Sequence, residues 1–385
     1  MKKIAYYQTT FLLTLVLVMV GCAPAIATAT PSPMSTAVGY TSAISTPTPS
    51  PTATASIDAR DLSEDEIATL NSLEKLDDYP LYILHYLGKY PDIPLSNISP
   101  DVVKTVRHAV PIGDFHVDWG CSLFAALSDP ESRLYGRNFD WRFSPALLLF
   151  TAPPDAYASV SMVDMEYLGI DSSQILDLTT LSLVARKNLL YAPALPFDGM
   201  NEKGLAIGMA AVPSGNMHPD PNKKTIDNLG VMREILDHAS TVDEAIDILA
   251  SYNIRMDEVP IHYLIASADG DSALVEFYQG EMVVMRNEDP WQMATNFLVA
   301  STGGSPQGHC ARYDHISQQL QEVNGQLTVE KALNLLSDVS QDSANGQSGT
   351  QWSVVYDMSA GSIHIVMGRK YGEEVHTLYL ETGSQ

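Results

Sequence analysis

The sequence predicts an α+β layered fold with largely antiparallel sheets, because its strands and helices come in blocks and not in alternation. Between His262 and Val299 the chain reads as strands separated by short turns. Two helix-period runs then follow together, Arg312 to Val323 and Val329 to Val339. The chain closes on strand patterns again, Trp352 to Met358, Ser362 to Met367 and Thr377 to Leu380. A Rossmann or TIM-barrel arrangement would alternate strand and helix throughout, and no internal repeat is present.

The N-terminus reads as an address. Lys2 and Lys3 precede an apolar run from Phe11 to Val20, broken only by Thr14. A membrane span needs roughly 20 apolar residues, so this shorter segment reads as a secretory signal. It ends in Met19-Val20-Gly21-Cys22, which resembles a bacterial lipobox with Met19 where leucine is usual. The expectation for residues 1–22 is cleavage before Cys22, lipidation of Cys22 and an extracytoplasmic chain anchored to the bacterial cell membrane; plain cleavage after Ala25 or Ala27 is the alternative. Residues 23–57 are mostly Pro, Ser, Thr and Ala, without charge from Ala23 to Ser56, and cannot bury a core. At about 3.1 Å per residue in polyproline II, such a tether reaches on the order of 100 Å.

The folded part follows in two pieces. Residues 58–120 form a segment that the sequence reads as a propeptide or small subunit. Ser63-Glu64-Asp65-Glu66 is a capping-box start to an amphipathic helix, and Tyr79 to Tyr90 reads as a second helix. Residues 121–385 read as a second, larger domain, expected to be the catalytic one from the residues it holds. A hairpin opens it, from Cys121 through the turn Ser128-Asp129-Pro130-Glu131-Ser132 to Tyr135-Gly136-Arg137-Asn138-Phe139-Asp140-Trp141. Ala146 to Thr151 and Ala158 to Met162 read as strands, and Leu176 to Val184 is apolar but of ambiguous type. Asp198-Gly199 and Lys203-Gly204 read as turn signals before a buried strand. Val231 to His238 and Val242 to Ala250 read as helices, the second with Thr241 as N-cap. His262 to Ser267, Ala273 to Tyr278, Glu281 to Arg286 and Met293 to Val299 read as strands.

Charge excludes some functions. The formal net charge is −24 although only 18% of residues are charged. Such a surface repels phosphate backbones, so nucleic acid is not an expected partner. His218, His309 and His315 lack metal-ligand spacing, and Asp269-Gly270-Asp271 is a fragment of a calcium loop better read as a hairpin turn. No metal or cofactor is invoked, and the oligomeric state is open.

The chemistry concentrates at Cys121. Antiparallel pairing brings Arg137 and Asp140 back beside it, and a fixed cation lowers a thiol pKa. No histidine stands in a papain-like context, so another base is needed. Cleavage of the Gly120–Cys121 bond would supply one, the new α-amino group, whose ordinary pKa is about 8. Glycine at 120 suits the strained geometry of self-cleavage. This logic predicts an N-terminal nucleophile (Ntn) hydrolase.

Cys121, Gly136-Arg137-Asn138-Phe139-Asp140 and Asp198-Gly199-Met200-Asn201-Glu202-Lys203-Gly204-Leu205 resemble the choloylglycine hydrolase and penicillin acyltransferase group of linear-amide C–N hydrolases, with Arg137 and Asp140 at the family's distance from the cysteine. Ala294-Thr295-Asn296-Phe297 and Arg312-Tyr313 resemble two later motifs. The resemblance implies an αββα four-layer sandwich. It implies Cys121 as nucleophile, Arg137 stabilising the thiolate and the substrate carbonyl, Asp140 holding the α-amino group, Asn296 donating to the oxyanion and Arg312 supporting the network. The implied substrate is a small N-acyl amide, cleaved through an acyl-thioester. Where bile-salt-cleaving members carry a second oxyanion asparagine, this chain has Ala211 or a near neighbour, so a backbone N–H would serve. That departure, with the folded segment before Cys121, points to the self-cleaving penicillin acyltransferase and acid ceramidase side.

Blander readings stand beside these. Cys121 and Cys310 could form a disulfide or be inert core thiols, and Arg137 with Asp140 could be a surface ion pair. Asn201-Glu202-Lys203 reads as a structural turn, Asn296 could end a strand, and Arg312 could cap a helix. Acyl transfer to an amine is the rival within enzymes. A non-catalytic, anchored binding protein is the rival outside them.

Overall fold

The computed structural model describes residues 62–90, 120–170, 177–256, 259–342 and 348–380. The secretory signal, Cys22, the tether and residues 91–119 lie outside the described residues.

Six strands build one sheet around the opening hairpin. These are β3 (Ser122–Ala126), β4 (Leu134–Arg142), β14 (Trp291–Ala294), β15 (Ser348–Asp357), β16 (Ser362–Met367) and β17 (His376–Tyr379). Their order is β14-β3-β4-β15-β16-β17, antiparallel throughout. The hairpin pairs Ser122 with Asn138 and Leu123 with Arg137. Leu123 and Ala125 belong to one core, and Phe124 and Ala126 to another. The strand is buried on both faces, so it reads as a continuous apolar run.

The other sheet has nine strands: β1 (Glu74–Asp77), β2 (Leu81–Tyr86), β5 (Ala146–Thr151), β6 (Ser159–Asp164), β7 (Asp198–Asn201), β8 (Leu205–Ala211), β11 (Ile261–Ser267), β12 (Ser272–Tyr278) and β13 (Glu281–Arg286), in that spatial order. Its pairings are antiparallel except β2 with β5. A short parallel pair, β9 (Lys224–Asp227) and β10 (Tyr252–Arg255), stands apart.

Helices cover the outer faces. α1 (Glu64–Asn71) packs on β2 and has the capping box that its sequence predicts. α2 (Gly230–His238) and α3 (Val242–Ser251) lie against the nine-stranded sheet. Thr241 caps α3, with Glu244 reaching back to the Thr241 N–H. α4 (Ala311–Glu322) and α5 (Val329–Asp338) lie against the six-stranded sheet. Leu123, Tyr135, Trp352 and Leu264 fill the space between the sheets, while Phe124, Ile316, Leu320 and Leu336 fill the space under α4 and α5. The result is an α+β fold of four layers, αββα.

Four local readings change. Tyr79 to Tyr90 is not a helix, because residues 81–86 form β2. Leu81, Tyr82, Ile83 and Leu84 are all buried, and a run apolar on both faces carries no period to separate strand from helix. Leu176 to Val184 resolves, over its described part, into a short 3-10 turn, Leu178–Thr180, capped by Asp177. Asp198-Gly199 is not a turn but the start of β7. A Cβ on Gly199 would lie 2.5 Å from the Val160 carbonyl oxygen, so the glycine serves close packing. The strand expected over Met293 to Val299 is β14 alone, ending at Ala294, and a 3-10 turn follows at Val299–Thr302.

Candidate active site

Cys121 stands immediately before β3, on the side of the strand that faces the nine-stranded sheet. Its neighbours there include Leu123, two residues along the same face. It is only 4% exposed. Neither Cys121 nor Cys310 is in a disulfide, which removes that alternative. Burial pushes the thiol pKa up; Arg137, the Asp140 backbone N–H and Arg312 pull the other way without winning. The lowered pKa expected from a neighbouring cation is therefore not realised in the intact chain. Desolvation outweighs the cation because the sulfur has almost no contact with water.

Arg137 is not half of a surface ion pair. It is fully buried and ion-paired with Asp198, and it also donates to the carbonyls of Phe197 (2.8 Å) and Met209 (3.1 Å). Its guanidinium lies 5.0 Å from the Phe139 ring centroid and 5.9 Å from that of Trp352. Asp198 also accepts from Trp352 Nε1 (3.2 Å) and Tyr356 OH (2.5 Å). Both charges are thus paired and hydrogen-bonded, as buried ions must be. Arg137 Nε is buried without a hydrogen-bond partner.

Asp140 is buried too, three residues beyond Arg137 along β4. Its Oδ1 accepts from Thr350 Oγ1 (2.6 Å), and its Oδ2 has no partner. Burial pushes its pKa up to about 7, against the pull of Arg312 and Thr350. The unpartnered oxygen lies against Gly120: a Cβ there would sit 2.7 Å from Asp140 Oδ2 and 2.7 Å from Gln341 Cγ. Space at Gly120 therefore favours glycine, beside the conformational freedom that self-cleavage asks of it.

Arg312, in the first turn of α4, reaches across to the hairpin. Its Nη1 donates to the carbonyl oxygen of Gly120 (2.6 Å), to that of Cys121, and to Ser122 Oγ (2.9 Å). Its Nη2 donates to Asn296 Oδ1 (3.0 Å). This is a bridge between three segments, not a helix cap. Asn296 follows β14, and extension of the β14–β3 register would set it opposite Cys121. Its Nδ2 donates to the Ala211 carbonyl (2.8 Å), leaving one N–H. Ala211 thus meets Asn296 through its carbonyl oxygen, an acceptor.

The structure thus gathers Gly120, Cys121, Asp140, Asn296 and Arg312 around the start of β3, with Arg137 buried on the neighbouring strand β4. Asn201 is structural, as read: its Oδ1 accepts from Lys203 and Leu205 N–H, and its Nδ2 donates to the carbonyls of Leu236 and Ala239. Sequence reasoning missed Asp198 as the partner of Arg137 and Thr350 as the partner of Asp140. Asp198 stood inside a quoted motif but looked like turn chemistry. Thr350 carries no local signal, since it meets Asp140 only through pairing of β4 with β15.

Comparison with known proteins adds an independent line. Residues 196–371 match the family described as acyl-coenzyme A:6-aminopenicillanic acid acyl-transferase. That range holds Asp198, Asn296 and Arg312 but not Cys121, Arg137 or Asp140. A penicillin V acylase of Pectobacterium atrosepticum is 24% identical over 196 residues, covering 47% of this chain and 50% of the relative, so the match spans about half the length of that curated relative. Among solved structures, a variant of the conjugated bile acid hydrolase of Clostridium perfringens superimposes with a TM-score of 0.50 at 15% identity, covering 69% of this chain and 94% of that one. A penicillin V acylase of Agrobacterium tumefaciens gives a TM-score of 0.48 at 18% identity, covering 68% and 86%. The chain resembles the penicillin acyltransferase and choloylglycine hydrolase group, and its four-layer fold is that of the Ntn hydrolases.

Proposed function

We propose that this chain is a cysteine Ntn hydrolase of small N-acyl amides, activated by its own cleavage at Gly120–Cys121. One observation carries the reading. The carbonyl of that peptide bond is held by the Arg312 guanidinium, while the unpartnered oxygen of Asp140 packs against Gly120. In self-cleavage, Cys121 Sγ attacks the Gly120 carbonyl carbon. The oxyanion forms on the oxygen that Arg312 already contacts, and the C–N bond breaks as the Cys121 nitrogen takes a proton. Asp140, titrating near neutrality, is the group that exchanges this proton. Water then hydrolyses the Gly120–Cys121 thioester, freeing a carboxylate at Gly120 and the thiol of Cys121, whose α-amino group the C–N cleavage has already released.

In turnover that amine is the base. It takes the thiol proton, the thiolate attacks the substrate carbonyl, and the tetrahedral oxyanion is met by the remaining Asn296 N–H. The α-ammonium then returns its proton to the departing amine. A water, deprotonated by the same amine, releases the acid from the thioester. Asp140, with its free oxygen, pairs with the ammonium whenever it is charged.

The names of similar proteins favour this substrate class. The relatives' names include penicillin V acylase and conjugated bile acid hydrolase. A second reading, transfer of the acyl group to an amine acceptor, is favoured by the description of the matching family as an acyl-transferase. Lipidation at Cys22 and an extracytoplasmic site belong to the same proposal, on the residues of the signal and tether.

Intact mass and N-terminal sequencing of purified protein test the activation step. A new N-terminus at Cys121, lost in Cys121→Ala, is expected, together with hydrolysis of penicillin V or another N-acyl amide. Product analysis with and without an amine acceptor separates hydrolysis from transfer. A chain that stays whole and turns over no amide returns the protein to a binding role.

A further inference from the structure

A second polar pair lies buried between the sheets, away from the residues above. His262 on β11 and Glu276 on β12 are both completely buried, and His262 Nδ1 lies 3.0 Å from Glu276 Oε1. Tyr263 OH turns outward to the Asn228 carbonyl beside α2, so by strand alternation His262 faces the sheet that carries Cys121. Ala210 is its partner in register on β8, one residue before the Ala211 carbonyl that accepts from Asn296.

Glu276 does more than hold the histidine. Its Oε1 accepts from the Val299 N–H (2.9 Å) and its Oε2 from the Ala300 N–H (2.8 Å). These are leading N–H groups of the 3-10 turn Val299–Thr302, and Leu298 at its start supplies no side-chain cap. The carboxylate of a distant strand therefore fastens the segment that begins at Asn296. A buried carboxylate is held only when its oxygens are satisfied, and here two backbone N–H donors and the His262 ring nitrogen converge on two oxygens.

We propose that Glu276 and His262 are positioning residues for Asn296: Glu276 clamps the Asn296–Ala300 segment by its backbone, and His262 Nδ1–H fixes the orientation of the Glu276 carboxylate. Asn296 is thereby tied at both ends, through Arg312 and Ala211 by its side chain and through Glu276 by the backbone three and four residues on. The pair touches neither substrate nor nucleophile. The proposal rests on the reading of Asn296 as the oxyanion donor.

The test uses the full chain with Glu276→Gln, His262→Phe and His262→Asn, the last because an Asn amide places a donor where Nδ1 stood. The readouts are kcat and KM on an N-acyl amide, and hydrogen–deuterium exchange of the 296–302 segment. A misplacement near 1 Å costs about 100-fold in rate, so Glu276→Gln and His262→Phe are expected to lower kcat by about that factor with KM nearly unchanged. His262→Asn is expected to recover most of it. Exchange should rise in the 296–302 segment of the two impaired variants and stay at wild-type level in β15 and β16, which shows that they are folded. Wild-type kcat in both impaired variants overturns the proposal. So does a His262→Asn variant as impaired as His262→Phe, which would assign the work to Nε2. If the wild type itself turns over no amide, the hydrolase reading has failed, and exchange alone decides the clamp: unaltered protection in Glu276→Gln overturns it.

Discussion

Asp140 keeps one carboxylate oxygen tied to Thr350 and sets the other, without a partner, against the α-carbon of Gly120. A buried acceptor left unpaired in this way costs about 1–3 kcal/mol. The cost falls where a new amine is proposed to appear.

That cost has a pH signature. The Asp140 pKa is raised from its ordinary value to about 7, so the folded chain holds a proton that the unfolded chain has released. Where the folded state binds more protons, stability falls as pH rises. The contribution is complete below about pH 4 and is lost by the time pH passes about 7. In an uncleaved Cys121→Ala background, urea melts at pH 5 and pH 8 should show this loss, and adding Asp140→Asn should make it smaller. Asp164, also raised to about 7 by burial, adds to the same slope and should persist in the Asn variant.

Gly120→Ala puts a methyl group 2.7 Å from both Asp140 Oδ2 and Gln341 Cγ. Either the carboxylate or the scissile bond must move. Self-cleavage should slow by about 100-fold or more, read as the persistence of full-length mass over a time course.

Arg312→Lys keeps a charge but loses the fork that joins Gly120 O to Asn296 Oδ1. Removal of one oxyanion donor costs about 10²–10³ in rate elsewhere. Arg312→Ala should reach that range for cleavage, with the lysine variant between it and wild type. Equal cleavage rates in all three proteins would remove Arg312 from the mechanism.

Asp198→Asn leaves the Arg137 guanidinium buried without its counter-charge. Breaking a buried pair from one side costs about 3–5 kcal/mol. Urea denaturation should show a loss of that size, in precursor and processed protein alike, because the pair lies beneath the site and not at the bond to be cut.

The Cys121 thiol should be slow to react while the chain is whole, since burial raises its pKa and shields it. In a Gly120→Ala precursor, iodoacetamide labelling at neutral pH should lag far behind that of processed wild type, as followed by peptide mass.

The hairpin of Cys121, Arg137 and Asp140 was legible because its residues are close in sequence and the register of two adjacent strands brings them together. Asn296 and Arg312 were legible only through resemblance to family motifs. Thr350 and Asp198 could not be assigned roles, since their partners arrive from other strands and neither residue type is unusual for a strand edge or a turn. The reading of Tyr79 to Tyr90 as a helix failed because a doubly buried strand carries no period. The direction of the Cys121 shift failed for a related reason: a sequence shows which charges are near a thiol but not how much water is.

One feature of the fold decides what a cut at Gly120 could release. β2 runs parallel to β5 with six residues in register, and β1 lies beyond it at the sheet edge. Asp77 on β1 is gripped by Lys370 (3.1 Å) and His376 (2.8 Å) from the far end of the chain. A severed N-terminal piece would remain woven into the particle as two of its nine strands. Denaturing gels would then show two polypeptides where gel filtration shows one, and the shorter could be withdrawn only by unravelling the sheet that supports the site.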